Sequence, residues 1–406
     1  MNAPGTPHFL PYARQVVDED DIAAVVAALR GELLTTGPAV EAFEGSLAHA
    51  VGASHAVACA NGSAALHLAA MALDLRPGEA AIVPSVTFVA TANAVAHTGA
   101  RVVFADVDPE TGLMTAETFK AALLSSHLPV RAVFNVHLAG QVGDVEGIAA
   151  VAQEHGLAIV EDAAHALGAT YTDEHGMEHR VGACYHADLT TFSFHPAKIA
   201  TMGEGGAVTM RDGALDERVR RERSHGITRE PARFALKERA FDDHARANPW
   251  YYEIAAPGFN YRASDINCAL GTSQLGKLPD NLARRRALAD AYDRLLAPLG
   301  HFVQPLARVP GCRSAWHLYV VRIDFAGVGR SRSEVMRGLN ALGIGTQVNY
   351  IPVHRQPYYR AIEPALDLPG AESYYDAALS LPMWAGLEEA DLERVAAGLS
   401  RALGLD

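Results

Sequence analysis

A chain of 406 residues exceeds what a single hydrophobic core usually organises, so two domains are expected. With 49% apolar and 20% charged residues it has a globular balance, and its net charge of −13 (34 basic, 47 acidic side chains) argues against nonspecific binding to nucleic acid or an anionic membrane. Four scattered cysteines, Cys59, Cys184, Cys268 and Cys312, include no CxxC pair, so no zinc site, no other metal and no disulfide framework is expected, and a reducing cytoplasm is the natural setting.

Residues 1–13 read as an irregular arm without the basic-then-apolar layout of a leader. No apolar run nears the roughly 18 residues needed to span a bilayer. Asp18 is placed to cap a helix, DEDDIAAVVAALRG, with acids in its first turn and Gly31 at its end. After the loop LLTTGPAV and a second amphipathic helix, strand-like and helix-like runs alternate. HAVACA precedes SAALHLAAMALDL, AAIVPS precedes TANAVAHTG, and VVFADVD precedes TAETFKAALL. AVFNVHL, VEGIAAVAQEHG and LAIVEDAAHALGA continue the series. Short β-branched runs separated by helices predict an α/β architecture, a mostly parallel sheet covered on both faces. Residues 211–250, rich in charge and aromatics, predict a helix and then a surface excursion. Two long helices, in ASDINCALGTSQLGKL and LARRRALADAYDRLLAPLG, lead into a smaller α+β unit that ends in LEEADLERVAAGLSRALG. The expected division is a large domain over 14–280 and a small one over 281–406.

Four clusters offer chemistry. In Asp188–Val208, DLTTFSFHPAKIATMGEGGAV, a strand runs into a turn at Pro196, then Lys198, then a glycine-rich return into a second strand. A lysine in such a place can be partly desolvated, which lowers its pKa and makes it a Schiff-base nucleophile. Taken alone it reads as a surface lysine. Ser193 is a candidate phosphate donor beside it, and His195 either positions the lysine or ligand or is a core histidine. In Asn61-Gly62-Ser63-Ala64, a small-residue turn before a helix points free amides and the Ser63 hydroxyl at an anion, although simple capping explains it too. The absence of GxGxxG disfavours a dinucleotide site.

Phe88, in VPSVTFVAT, follows a strand and is placed either to stack on a flat heterocycle or to pack in the core. Asp162 ends a hydrophobic strand just before His165, where its carboxylate needs a partner such as a protonated pyridine nitrogen, or else caps a helix. An anion turn, a stacking aromatic, a strand-end Asp and Ser-x-x-x-x-Lys, in that order, answer the four needs of pyridoxal 5′-phosphate.

SFHPAK with GEGGAV, VEDAAHALGA, TFVATANAV and GFNYRASDINCALG resemble the DegT/StrS sugar-nucleotide aminotransferases, from residue 11 to the C-terminal helix. The resemblance implies fold type I, the aspartate-aminotransferase architecture, with a seven-stranded, mostly parallel sheet in the large domain. It implies that Lys198 forms the internal aldimine and then moves protons, with pyridoxamine phosphate as the intermediate. Asp162 would keep the pyridine nitrogen protonated, Phe88 would stack on the ring, and Gly62, Ser63 and Ser193 would bind the phosphate. His165 would also contact the cofactor, and Asn260 would reach the phosphate from the second subunit of a homodimer.

SHGITR, NPWYYE, HLAGQ and IPVHRQPYYR are most similar to the branch of the family acting in pseudaminic acid biosynthesis. That branch uses L-glutamate to aminate UDP-2-acetamido-2,6-dideoxy-β-L-arabino-hex-4-ulose at C4. By the same resemblance Tyr12, Leu34, Thr35, Gln347, Val348, Asn349 and Tyr350 would contact the nucleotide sugar. Three positions depart from the usual pattern: Met202 where threonine is common, Ser63 for threonine, and Asn349 for histidine. Another 3-keto or 4-keto sugar nucleotide, such as the precursor of GDP-perosamine or of UDP-4-amino-4-deoxy-L-arabinose, is the alternative substrate. A sugar dehydratase, which would replace the lysine with histidine, is the alternative reaction.

Overall fold

A computed structural model describes residues 9–405; the first eight residues of the expected arm and residue 406 lie outside them. Asp18 caps α1 (Glu19–Leu29) by accepting from the Asp20 and Asp21 amides. α2 (Pro38–Val51) begins on a proline, whose missing N–H costs nothing in the first turn. The alternating region follows as β1 (His55–Cys59), α3 (Gly62–Ala72), β2 (Ala80–Pro84), α4 (Val89–His97), β3 (Arg101–Ala105), α5 (Ala116–Ser125), β4 (Val130–Val136), α6 (Val145–His155) and β5 (Ala158–Asp162). Short β6 (Thr170–Thr172) and β7 (Glu178–Arg180) precede β8 (Leu189–Ser193), β9 (Gly206–Met210) and α7 (Gly213–Arg223).

Seven strands form one sheet in the order β1-β9-β8-β5-β4-β2-β3. All neighbours are parallel except β9, which runs antiparallel to both β1 and β8. A seven-stranded, mostly parallel sheet is what the resemblance implied for the large domain. Alternate residues serve opposite faces, as the two-residue strand period requires. Ala81 and Val83 of β2 pack with α3 and α4 in one core, and Ala80 and Ile82 with α5 and α6 in another. Each fully buried aliphatic side chain of this kind contributes about 1.5–3 kcal/mol.

The surface excursion holds only β10 (Ile227–Thr228), α8 (Lys237–Ala240) and β11 (Glu253–Ile254). α9 (Asp265–Gly276) and α10 (Leu278–Leu296) come next, so the expected division at 280/281 falls in the first turn of α10. The remainder is β12 (Val303–Pro305), β13 (Cys312–Arg313), β14 (Tyr319–Ile323), α11 (Arg332–Ala341), α12 (Pro357–Ile362), α13 (Pro369–Ala377), β15 (Ala378–Leu381) and α14 (Glu389–Leu403). A separate core joins β14, β15 and α14 to Tyr292 and to Leu10 of the N-terminal arm. Val353, Tyr359 and Tyr374, by contrast, pack into the core of the large sheet, so the C-terminal part is seated on it. No helix among the described residues is long and apolar enough to cross a membrane.

Candidate active site

The parallel strands point their carboxyl ends the same way, and the side chains there open onto a cleft of about 600 Å³. Lys198 reaches it from the turn after β8, where its N–H donates to the His195 carbonyl at 2.8 Å. The hairpin closes beyond it, with Phe194 N–H bonded to the Gly205 carbonyl and Met202 N–H to the Phe194 carbonyl, both at 2.8 Å. Burial lowers the Lys198 amine from 10.5 to about 8, against the pull of the nearby Asp162 carboxylate, which raises it. The chain has four lysines. Lys120 and Lys237 are exposed and Lys277 pairs with Asp18 and Asp21, which leaves Lys198 as the one lysine lining the cleft among the described residues.

Asp162 ends β5, and no helix starts there. Its Oδ2 accepts from Thr91 Oγ1 at 2.7 Å and its Oδ1 from the Ala164 amide at 3.1 Å. The capping alternative is thereby replaced by a buried carboxylate, 5% exposed, held by two donors at the cleft floor. Its neighbour Glu161 does not line the cleft: it accepts from Thr190 Oγ1 at 2.8 Å and lies 3.4 Å from His137 Nε2. Strand alternation separates the two acids.

Gly62 and Ser63 open α3, and Ser193 ends β8 beside them; all three line the cleft. Asn61 caps α3 by accepting from the Ala64 amide at 2.8 Å, and the amides of the first turn remain for an anion. Phe88 is 54% exposed and lines the cleft, so it is not a core residue. The far wall comes from the C-terminal part: Gln347, Val348, Asn349 and Tyr350, with Tyr12 of the arm. Asn349 Oδ1 accepts from Ser380 Oγ and its carbonyl from Tyr374, both at 2.8 Å. His165 is buried beneath this wall, with Nε2 3.0 Å from the Tyr350 hydroxyl. His195 lines the cleft from an exposed position, and its Nδ1 accepts from the Ala197 amide at 3.2 Å.

Three expected site residues are not brought into the cleft of their own chain. Leu34 and Thr35 are exposed, with Thr35 bridged to Ser264. Asn260 is exposed and bridged to Ser224. Two residues escaped sequence reading. Thr91 was signalled only by its place one turn beyond Phe88, and His317 was hidden in the strand-like run AWHLYV.

A family model described as the DegT/DnrJ/EryC1/StrS aminotransferase family matches residues 15–400. The chain belongs to this family. Members are pyridoxal-phosphate-dependent sugar aminotransferases, and the donor set of the cleft suits that chemistry. The spore coat polysaccharide biosynthesis protein SpsC of Bacillus subtilis is 37% identical over 391 residues, covering 96% of this chain and 95% of its own. Helicobacter pylori PseC, an aminotransferase of pseudoaminic acid biosynthesis, superposes with a TM-score of 0.86 at 27% identity, covering 98% of this chain and 99% of its own. DesV of S. venezuelae, solved with a ketimine intermediate, gives a TM-score of 0.83 at 31% identity, with 98% and 99% covered.

Proposed function

We propose that the protein transfers the amino group of L-glutamate to C4 of a nucleotide-linked 4-keto-6-deoxy sugar, with pyridoxal 5′-phosphate held by Lys198. UDP-2-acetamido-2,6-dideoxy-β-L-arabino-hex-4-ulose is the proposed acceptor and UDP-4-amino-4,6-dideoxy-N-acetyl-β-L-altrosamine the product. The observation that carries the reading is the pairing of a half-buried lysine, lowered to about 8, with the Asp162 carboxylate in one cleft. The donor set suits the cofactor: Gly62 and Ser63 open α3 and Ser193 lies against Gly62, so close that a Cβ would crowd it, which brings first-turn amides and two hydroxyls to one end of the cleft.

When bound, pyridoxal phosphate would supply the electron sink and the amino-group carrier that transamination needs. Gly62, Ser63 and Ser193 bind the phosphate through amides and hydroxyls. Asp162, an acceptor held by Thr91 and Ala164, keeps a proton on the pyridine nitrogen. Phe88 covers a face of the ring. Lys198, with a pKa near neutrality, takes the proton from the donor carbon and delivers one to the sugar carbon. Tyr12, Gln347, Asn349 and Tyr350 form the wall that orients the sugar.

The working unit is proposed to be a homodimer with shared sites. Leu34, Thr35 and Asn260 sit outside the cleft of their own chain, bridged instead to Ser264 and Ser224 or exposed, and a second copy would give them a site to enter. A cytoplasmic location is proposed in keeping with four free cysteines. The similarity to PseC, an aminotransferase of pseudoaminic acid biosynthesis, supports this acceptor. Lysine at 198 favours transamination over dehydration. Incubation of the purified holoenzyme with L-glutamate and a panel of 3-keto and 4-keto sugar nucleotides, read by mass and NMR, tests this. The C4-amino UDP sugar is the expected product; a deoxysugar without nitrogen, or amination only at C3, would overturn it.

A further inference from the structure

Both ring nitrogens of His165 are engaged inside the protein, and this sets the direction of every hydrogen bond around it. Ala139 donates its backbone N–H to His165 Nδ1 at 3.3 Å, so Nδ1 must carry a lone pair. Burial and the nearby Lys198 amine hold the imidazole well below its ordinary pKa, so the ring is neutral and its one proton sits on Nε2. That N–H points at the Tyr350 oxygen 3.0 Å away, which therefore accepts. The Asn349 side chain is a second partner of this hydroxyl and lowers the phenol as a donor does, so neither neighbour takes the Tyr350 proton, and the ring lines the cleft. Burial also pushes the phenol up, so the proton is retained.

The backbone around His165 is arranged to impose this tautomer. Ala139 adopts a left-handed conformation, φ 59° and ψ 2°, which a residue with a side chain rarely takes. Trp316 does the same at φ 50°. Between them, Gly140 packs so closely that a Cβ would lie 2.9 Å from the His165 carbonyl oxygen and 2.9 Å from Trp316 N. Ala315 N–H closes the contact on the Gly140 carbonyl at 3.0 Å. His317 then lays its ring against His165, centroids 4.3 Å apart. Arg285 fixes that segment by donating to the Trp316 and His317 carbonyls at 3.0 and 3.3 Å.

We propose that Tyr350, oriented by His165, donates its hydroxyl hydrogen bond to the keto oxygen of the sugar, so that the Ala139–His165–Tyr350 chain serves the sugar half of the reaction and not the glutamate half. The inference rests on the reading of the cleft as a sugar-nucleotide aminotransferase site. A neutral phenol whose oxygen already accepts from His165 keeps one proton to donate, and that suits an uncharged carbonyl oxygen. The carboxylates of glutamate are better served by cationic groups. His165 touches no substrate atom in this scheme and is a positioning residue.

Nitrogen-15 spectra of histidine-labelled, cofactor-free chain test the tautomer without any turnover. The His165 signals, assigned by their loss in His165→Gln, are expected to show a proton on Nε2 and none on Nδ1; the opposite pattern would overturn the proposal. With holoenzyme, the two half-reactions are followed separately by absorbance. Tyr350→Phe is expected to leave the glutamate half-reaction within about twofold and to slow the keto-sugar half-reaction about tenfold, the worth of one hydrogen bond. His165→Leu should likewise slow the keto-sugar half-reaction, and His165→Gln, which keeps a donor, should recover part of that loss. An unchanged keto-sugar step in Tyr350→Phe would refute the inference while leaving the aminotransferase reading intact. A native enzyme with no glutamate half-reaction would refute both.

Discussion

Gly62 and Ser193 approach so closely that a Cβ on the glycine would lie 2.7 Å from the serine Cβ and 3.0 Å from its Oγ. The sheet imposes this contact, because Gly206 of β9 pairs with Cys59 on one side and with Ser193 on the other. The N-terminus of α3 and the end of β8 are thereby held against each other at the edge of the cleft, where the phosphate is proposed to bind. Gly62→Ala should force them apart and weaken pyridoxal phosphate binding by about tenfold or more, the loss of at least one good hydrogen bond. Fluorescence titration of cofactor-free protein checks this; unchanged affinity would mean the phosphate sits elsewhere.

Lys198 makes the cofactor-free chain less stable than it would otherwise be. Its amine titrates at about 8 when folded and near 10.5 when unfolded. At pH 7 both states are charged, and the folded state carries the full desolvation penalty, a shift worth about 3 kcal/mol. Between about pH 8 and 10.5 the unfolded chain holds a proton that the folded chain has released, so stability rises with pH across that window. Lys198→Met should therefore stabilise cofactor-free protein at pH 7 by about 1–3 kcal/mol, an advantage that shrinks toward pH 10.5. Urea unfolding at several pH values reads the difference directly.

Thr91 and Asp162 act as a unit. An ionised carboxylate only accepts, so the Thr91 hydroxyl proton goes to Asp162 Oδ2, and Thr87, 2.8 Å from Thr91, supplies the next proton in line. Thr91→Val should lower kcat/KM about tenfold by loosening the carboxylate, and Asp162→Asn about 100-fold or more by removing its charge. Steady-state kinetics with saturating cofactor separates the two, and equal effects would contradict the assignment.

Much of the site was legible because its parts are local in sequence. Strand, turn and Lys198 are contiguous, Asp162 ends its own strand, and Gly62 and Ser63 open a helix directly after one. The far wall was not legible from residue pattern. Gln347 to Tyr350 reach the cleft only because the C-terminal part is seated on the large sheet, a tertiary fact that no periodicity encodes. His317 lay inside an apolar run that reads as strand. Of the neighbouring acids Glu161 and Asp162, the sequence singled out Asp162, and the two-residue alternation of β5 gives the reason: Glu161 is turned away toward Thr190 and His137. Leu34, Thr35 and Asn260 lie outside the cleft of their own chain, and the proposed homodimer would give them a place in a site.

That second chain can be tested by complementation. If Asn260 of one subunit completes the site of the other, Lys198→Ala and Asn260→Ala are each inactive as pure proteins. Unfolding and refolding them together in equal amounts should restore about a quarter of native activity, since half the dimers then carry one intact site. No recovery, with dimers confirmed by light scattering, would place Asn260 outside the site.

The central claim is that the amine of Lys198 holds the cofactor. Borohydride reduction of the holoenzyme, proteolysis and mass spectrometry of the lysine-containing peptides test it most directly. The added mass of reduced pyridoxal phosphate is expected on the peptide that carries Lys198 and on none that carries Lys120, Lys237 or Lys277. Label on one of those three, or on no lysine at all, would contradict the account.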